Sequence, residues 1–205
     1  MALPLDFQFA TTRCNLRAPS AGDIPHIFAA TRFDGFNEGM SWDPPSSEEE
    51  LRGPLQRSVE AWREGRDYSF TIEAKAGSDF FGRIAIRRTA QPRLWNIGFW
   101  LHPAHQGKGL MTEAARAVIA LGFTELEAEA IEARHAVWNV KSRRVLERLG
   151  MNEVAFVAEG FKKRGEWVKE FRMLIERRTW KEPNQSLESM PPSGAFRAGH
   201  ETRHP

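Results

Sequence analysis

The sequence predicts a mixed α/β (α+β) domain in which helices pack on a mixed sheet. Three strand-like runs follow one another directly, at 67–74, 80–89 and 93–101, and only then does a long amphipathic helix begin. Successive strands followed by a helix indicate a mixed sheet, because a doubly wound parallel sheet alternates strands with helices. No segment repeats, so the 205 residues form one domain, or one domain with a tail.

The N-terminal third is predicted to contain an edge strand and two helices. Residues 7–18 alternate weakly between apolar and polar side chains. Turn residues at 19–23 then precede a helix with apolar residues at helical spacing. Residues 32–45 combine glycine, proline, aromatic and acidic residues, which is typical of a loop. A serine at 46 or 47 with a glutamate at 49 or 50 predicts a capping box that opens a helix to about Arg63.

The C-terminal half is predicted to add a strand, a helix and a hairpin. Residues 131–137 have the composition of a strand. Asn139 can cap a helix that runs to Leu149, and Gly150 is a natural left-handed C-cap. The hairpin has the proposed bounds 153–158 and 166–175 for its strands and 160–165 for the loop between them.

The composition predicts a cytoplasmic protein that needs neither a nucleic acid nor a membrane. There are 29 Lys and Arg against 27 Asp and Glu, and no long apolar span or charged leader is present. The single cysteine, Cys14, excludes an internal disulfide and is interpreted as a core residue. Residues 181–205 lose apolar periodicity, which predicts a disordered tail behind a domain of residues 1–180.

The stretch 96–123 contains the strongest functional signal. A short apolar run, 97–101, ends at Pro103, and a Gln-Gly-Lys-Gly turn leads into a helix with apolar residues at helical spacing. The first turn of such a helix offers unpaired N–H groups and the positive end of the helix dipole. Glycines allow a ligand to approach this backbone, so the stretch predicts a site for a phosphate or pyrophosphate.

Two other phosphate-binding motifs and an ordinary turn are the alternative interpretations of this stretch. A Walker loop needs GxxxxGK[ST], and no glycine stands at the required spacing before Gly107. A Rossmann fingerprint needs GxGxxG after the first strand, whereas Thr112 stands where the third glycine belongs and the motif lies mid-chain. An ordinary strand-to-helix turn without a ligand stays open on this motif alone.

The segment from Gln106 to Ala114, QGKGLMTEA, resembles the acetyl-CoA signature of the GNAT N-acetyltransferases, [QR]xxGx[GA], and is most similar to its RimJ/RimL-type branch. Residues 138–142 and 149–151 resemble the NxxS and LGF segments of that family, and the resemblance covers about residues 10–178. It implies the GNAT fold, with a central mixed, mostly antiparallel sheet of six to seven strands that is flanked by helices and splayed at the cofactor site.

The resemblance also implies a binding site for acetyl-CoA as co-substrate. The pyrophosphate would contact the glycine loop, the pantetheine arm would lie beside the strand ending at Leu101, and an N–H near Leu101 would stabilise the oxyanion. Asn139 resembles the pantetheine-binding asparagine, or is a plain N-cap. The implied cofactor-binding residues are Trp100, Leu101, Gln106, Gly107, Lys108, Gly109, Leu110, Met111, Thr112, Asn139, Ser142 and Arg144.

The common acid/base pair of the family is not evident. Asn96 stands where many members have a glutamate, and the only tyrosine, Tyr68, lies on a different predicted strand. Ser142 resembles the serine proposed to protonate or orient the thiolate, or is a helix cap. Glu159 is the best candidate for the base, and is otherwise a solvated acid. The predicted catalytic set is therefore Ser142, Glu159 and Asn139.

The resemblance implies direct acetyl transfer to a primary amine, foremost the α-amine of a protein or peptide N-terminus. A small amine, amino acid or antibiotic is the alternative acceptor. A non-catalytic acyl-CoA sensor is the alternative of another class. No cluster of His, Cys, Asp and Glu has metal-site spacing, so no metal is expected. The assembly is expected to be a monomer or a homodimer.

Overall fold

The computed structural model describes residues 2–77 and 79–181, together with the backbone pairing of Glu188–Ser189. In this part of the chain, nine strands form one sheet: β1 Gln8–Ala10, β2 Cys14–Arg17, β3 Asp67–Ala74, β4 Phe80–Arg88, β5 Leu94–Leu101, β6 Ala130–Ala136, β7 Asn152–Lys163, β8 Glu166–Glu176 and β9 Glu188–Ser189. Four helices accompany it: α1 Ile24–Ala30, α2 Arg52–Arg63, α3 Leu110–Thr124 and α4 Val140–Arg148. Apart from Lys181 and β9, the predicted tail 181–205 lies outside the described residues.

The sheet is mixed and mostly antiparallel, as predicted. It has nine strands in the described part of the chain and not the expected six to seven, because residues 7–18 form two strands and Glu188–Ser189 pairs with β1. Its order is β7-β8-β6-β5-β4-β3-β2-β1-β9, and β5 with β6 is the single parallel pair among the described strands. Parallel neighbours need a crossover connection, and α3 supplies it. The glycine turn therefore lies where β5 ends and the crossover begins.

Two sequence predictions need correction. Residues 7–18 form two short antiparallel strands, β1 and β2, because the chain turns at Thr11, whose N–H donates to the Cys14 carbonyl. The proposed loop 160–165 is also too long, since β7 continues to Lys163. Only Arg164 and Gly165 form the turn, with φ of 51° and 87°, and two consecutive residues with positive φ form the tight hairpin turn that matches strand twist.

The main core lies between the sheet and α3. Ala114, Ala115, Val118 and Ile119 on α3 are fully buried, because apolar residues recur on its inner side. Gly122 lets the helix approach the sheet closely, since a Cβ there would lie 2.8 Å from Ile86 and Ile131 side-chain carbons.

Cys14 is a buried free cysteine, as expected for a core residue. Burial, with a smaller contribution from the Glu113 charge, raises the pKa of its thiol to about 11. The reactive form of cysteine is the thiolate, so Cys14 is inert near neutral pH.

Candidate active site

The glycine turn presents a row of free backbone donors. Gly107 and Gly109 both have φ of 77°, and Gly109 is the N-cap of α3. In the described part of the chain, no protein acceptor is recorded for the N–H groups of residues 107–112. A Cβ at Gly107 would meet nothing within 4 Å, so the approach to these donors is open. The arrangement suits an anion at a helix N-terminus.

The turn is held by the β1–β2 hairpin, through contacts that sequence reasoning missed. The Arg13 guanidinium donates from Nη1 to the Lys108 carbonyl at 2.9 Å and from Nε to Glu113 Oε2 at 2.7 Å. Glu113 Oε1 also accepts from the Arg13 N–H at 2.7 Å and from Thr11 Oγ1 at 2.6 Å. Burial alone would raise the pKa of Glu113, but the hydrogen bonds from Thr11 and Arg13 together with the Arg13 charge lower it.

Gln106 connects the end of β5 to α4. Its Nε2 donates to the Leu101 carbonyl at 3.2 Å, and its Oε1 accepts from Lys141 Nζ at 3.1 Å. The Lys108 ammonium points back to the Ala104 carbonyl at 3.1 Å. Leu110 and Met111 are buried, so these two residues offer a ligand only their backbone.

A gap opens between β5 and β6 beside the glycine turn. The parallel pairing runs from Leu94↔Ala130 to Ile97↔Ala133 and stops there, although both strands continue. The predicted splay of the sheet is therefore present. It leaves the last four residues of β5 without a partner on that side.

The free edge of β5 directs two N–H groups into this gap. His102 donates its N–H to the Phe81 carbonyl, toward β4, at 2.8 Å. Backbone groups alternate in direction along an antiparallel strand, so Phe99 and Leu101 point their N–H groups toward β6. An extended ligand can pair with such an edge as an additional strand.

The start of α4 borders the gap. Asn139 caps the helix, and its Oδ1 accepts from the Ser142 N–H at 3.0 Å, so the N-cap interpretation holds geometrically. The Asn139 amide Nδ2 lies 3.0 Å from where a Cβ of Gly39 would be. Within the described residues, no hydrogen bond of the Ser142 hydroxyl and no ion pair of the exposed Arg144 is recorded.

Residues 32–45 form the predicted loop, and it covers one face of the sheet at the gap. The Phe36 ring contacts Trp100 edge-on, with 5.2 Å between centroids. Lys163 fastens this loop, because its ammonium donates to the carbonyls of Met40 at 2.8 Å, Trp42 at 3.3 Å and Asn37. The loop therefore connects β5 and β7 across the site.

The candidate catalytic acids lie in different surroundings. Glu159 is exposed on β7, and no contact of its carboxylate with Asn139 or Ser142 is recorded. Glu170 on β8, which sequence reasoning did not single out, is only 8% exposed. Tyr68 is buried in the core, where its hydroxyl accepts from the Leu3 N–H at 3.2 Å. Tyr68 lies on β3, three strands from β6, so the only tyrosine is on a different strand from the Asn139 region, as the sequence indicated.

The two histidines at the turn are half-buried. Burial, followed by the His105 and His26 charges, lowers the pKa of His102, and its Nδ1 accepts from the Ala104 N–H at 3.3 Å. His102 is therefore neutral at pH 7. Among the described residues, no group of three or more His, Cys, Asp and Glu could hold a metal ion, and no helix is long and apolar enough to cross a membrane.

Comparisons with known proteins bear on this geometry. Residues 13–152 match the model of the acetyltransferase (GNAT) domain. The Bacillus subtilis (strain 168) protein named "Probable N-acetyltransferase YjcK" is 34% identical over 103 residues, which are 49% of this chain and 57% of that protein. The chain spans between 57 and 63% of the length of the first three curated relatives that it matches.

Solved structures share the fold at low identity. RimL, the ribosomal L7/L12 α-N-protein acetyltransferase in complex with coenzyme A, superposes with a TM-score of 0.73 at 18% identity, covering 86% of this chain and 98% of that chain. Spermidine N-acetyltransferase from Vibrio cholerae, in complex with CoA and spermine, has a TM-score of 0.71 at 22% identity, covering 82% and 98%. The names of these two proteins indicate different acceptors on one fold.

Proposed function

The chain belongs to the GNAT acetyltransferase family, and from this premise we propose that it transfers the acetyl group of acetyl-CoA directly to a primary amine, foremost the α-amine of a protein or peptide N-terminus. One observation carries the proposal: the free β5 edge opens beside the unpaired N–H groups of residues 107–112. The free β5 edge suits an extended pantetheine arm, and the N–H groups of residues 107–112 suit a pyrophosphate.

The proposed division of labour follows from the site. Gly107, Gly109 and the first residues of α3 would bind the pyrophosphate through their N–H groups. The Leu101 N–H would stabilise the oxyanion that develops on the acetyl carbonyl. Asn139 would orient the pantetheine arm, and the Ser142 hydroxyl would donate a proton to the departing thiolate. The exposed Arg144 would lie toward the nucleotide end.

The preference for an α-amine follows from acid–base chemistry. An amine attacks only when neutral, and the reference pKa is about 7.7–8.0 for an α-amine but about 10.4 for lysine. At pH 7.5 roughly a third of α-amines are neutral, against about one lysine in a thousand. Because Asn96 replaces the usual strand glutamate, a substrate with a substantial neutral fraction near neutral pH fits this site better.

Thiol release from acetyl-CoA tests the proposal. We compare a peptide with a free N-terminus, the same peptide with an acetylated N-terminus and a free lysine, and spermidine. The first should react fastest. Faster turnover of spermidine supports the small-amine alternative, whereas acetyl-CoA binding without release on any acceptor supports the sensor.

A further inference from the structure

Glu170 is a largely buried residue, and its carboxylate has no hydrogen-bond or ion-pair partner in the described part of the chain. It is 8% exposed, and none of the hydrogen bonds or ion pairs recorded among the described residues involves its side chain. Glutamates are rarely buried unless they are paired, because burial of a carboxylate is costly. An unpaired one is therefore a candidate for function.

The neighbouring strand is shaped around this carboxylate. The β7–β8 register shifts between Val157 and Phe161, so β7 carries extra residues opposite Glu170. At Gly160, within this irregular stretch, a Cβ would lie 2.3 Å from the Glu170 Oε2. The absence of a side chain at Gly160 therefore makes the space that Glu170 occupies. Bulges of this kind are frequent beside active sites.

Strand register places Glu170 on the same face of the sheet as the covering loop. Asn96 pairs with Glu132, and Ala136 pairs with Glu170. Side chains alternate along strands, so the even-numbered residues of β5, β6 and β8, Trp100 among them, share one face. Trp100 contacts the loop on that face. Glu170 is therefore one strand beyond the β6 edge of the gap.

Few charged groups near Glu170 are available to stabilise its ionised carboxylate. Burial raises the pKa of Glu170, and the Arg134 charge on β6 acts against this shift. Lys163 on β7 shares the face, but its ammonium is bonded to loop carbonyls. Arg172 on β8 is paired with Glu132. Glu170 is thus a stronger base than an exposed glutamate.

We propose that Glu170 is the general base that takes the proton of the acceptor ammonium; this inference rests on the proposed function. The R–NH₃⁺ group gives one proton to the Glu170 carboxylate, and the neutral nitrogen attacks the thioester carbon. The C–N bond forms, the C–S bond breaks, and the sulfur leaves with the bonding pair. The Ser142 hydroxyl gives its proton to the thiolate and takes the second proton from nitrogen, so the products are R–NH–acetyl and CoA–SH. Glu170 then releases its proton to solvent.

The pH profile of Glu170→Gln tests this role. With a free-N-terminus peptide, kcat/KM at pH 7 should fall by about tenfold, because only about a tenth of α-amines are neutral at that pH without a base. The deficit should narrow toward pH 9, where the amine loses its proton unaided. Glu170→Asp should recover part of the rate. Glu166→Gln, an exposed change on the same strand, is the control and should match the parent.

A second variant tests the position of the Glu170 carboxylate without changing residue 170 itself. Gly160→Ala should displace Glu170 and lower kcat/KM at pH 7, whereas Gly22→Ala has only an ordinary contact, 3.6 Å from Ser20 Oγ, and should not. Calorimetry should show the acetyl-CoA Kd of both Glu170 variants within twofold of the parent.

Several outcomes overturn the role of Glu170. One is a pH profile of kcat/KM for Glu170→Gln that matches the parent, and another is a loss of kcat/KM that is the same at every pH. The others are weakened acetyl-CoA binding by the Glu170 variants and a pH profile that shifts in Glu159→Gln instead. A parent protein that releases no CoA with any amine overturns the proposed function as well. Failure of the Glu170 role is distinguishable from failure of the proposed function, because the former can be observed only when the parent protein is active.

Discussion

Replacement of Glu113 by alanine should destabilise the domain and loosen the glycine turn. Its carboxylate connects the first turn of α3 to the β1–β2 hairpin through Thr11 and Arg13, about 100 residues away in sequence. Arg13 also holds the Lys108 carbonyl. Without Glu113, the guanidinium loses the partner that orients it, and the turn loses its support.

The magnitude follows from the exposure of the pair. A hydrogen bond to a charged group contributes about 1.5–3 kcal/mol when buried, but exposed pairs contribute about 0–1 kcal/mol. The Glu113 side chain is 19% exposed and that of Arg13 48%. For the group of contacts together we expect a loss of about 2 kcal/mol. In a domain of this size that lowers Tm by about 4–8 °C.

The loss of stability in Glu113→Ala should depend on pH. The folded state lowers the pKa of Glu113, so its stabilisation is present above the ordinary pKa of glutamate and disappears as the pH falls through the lowered value. The Tm difference between parent and Glu113→Ala should therefore be constant near neutral pH and shrink in acid.

Thermal unfolding by circular dichroism from pH 7 to pH 3 measures the effect, and calorimetry should show weaker acetyl-CoA binding for Glu113→Ala. Glu125→Ala, an exposed change at the end of the same helix, is the control. Equal Tm values for the two variants would refute the reasoning that the hairpin supports the turn.

Three further predictions follow. Gly109→Asp should weaken acetyl-CoA binding at least tenfold, about 1.4 kcal/mol. The control is the neutral Gly109→Asn, which also has to adopt φ of 77° and should weaken binding less. Equal calorimetric affinities of the two variants would contradict an anion site. Lys163→Met should raise KM for the acceptor and leave the acetyl-CoA Kd unchanged, because it frees the covering loop; an unchanged KM would show that the loop needs no such fastening. For α-amine peptides, kcat/KM should rise from pH 6 and level off near pH 8, while blocked lysine peptides react much more slowly; faster lysine peptides would exclude the α-amine preference.

Local pattern was sufficient for much of the fold. The bounds of β3, β4 and β5 lie within one residue of their predictions, and α3 follows the glycine turn as predicted, because alternation and helical periodicity reflect burial that each segment carries in its own sequence. The two-strand form of residues 7–18 was missed, since Thr11 turns the chain through a bond to its near neighbour Cys14 that weak alternation does not reveal. The length of β7 was missed for a related reason: Gly160 resembles a loop residue, yet it lies in an irregular strand.

The sequence by itself determined the glycine turn and the strand and helix on either side of it, because the donors of a helix N-terminus and the freedom of glycine are properties of neighbouring residues. The tertiary structure decided what stands around that turn. Arg13 meets Glu113, and Glu170 lies against Gly160 on the face that the loop covers. These contacts depend on strand order and register, which bring together segments that are distant in sequence. Local periodicity does not predict that such segments meet.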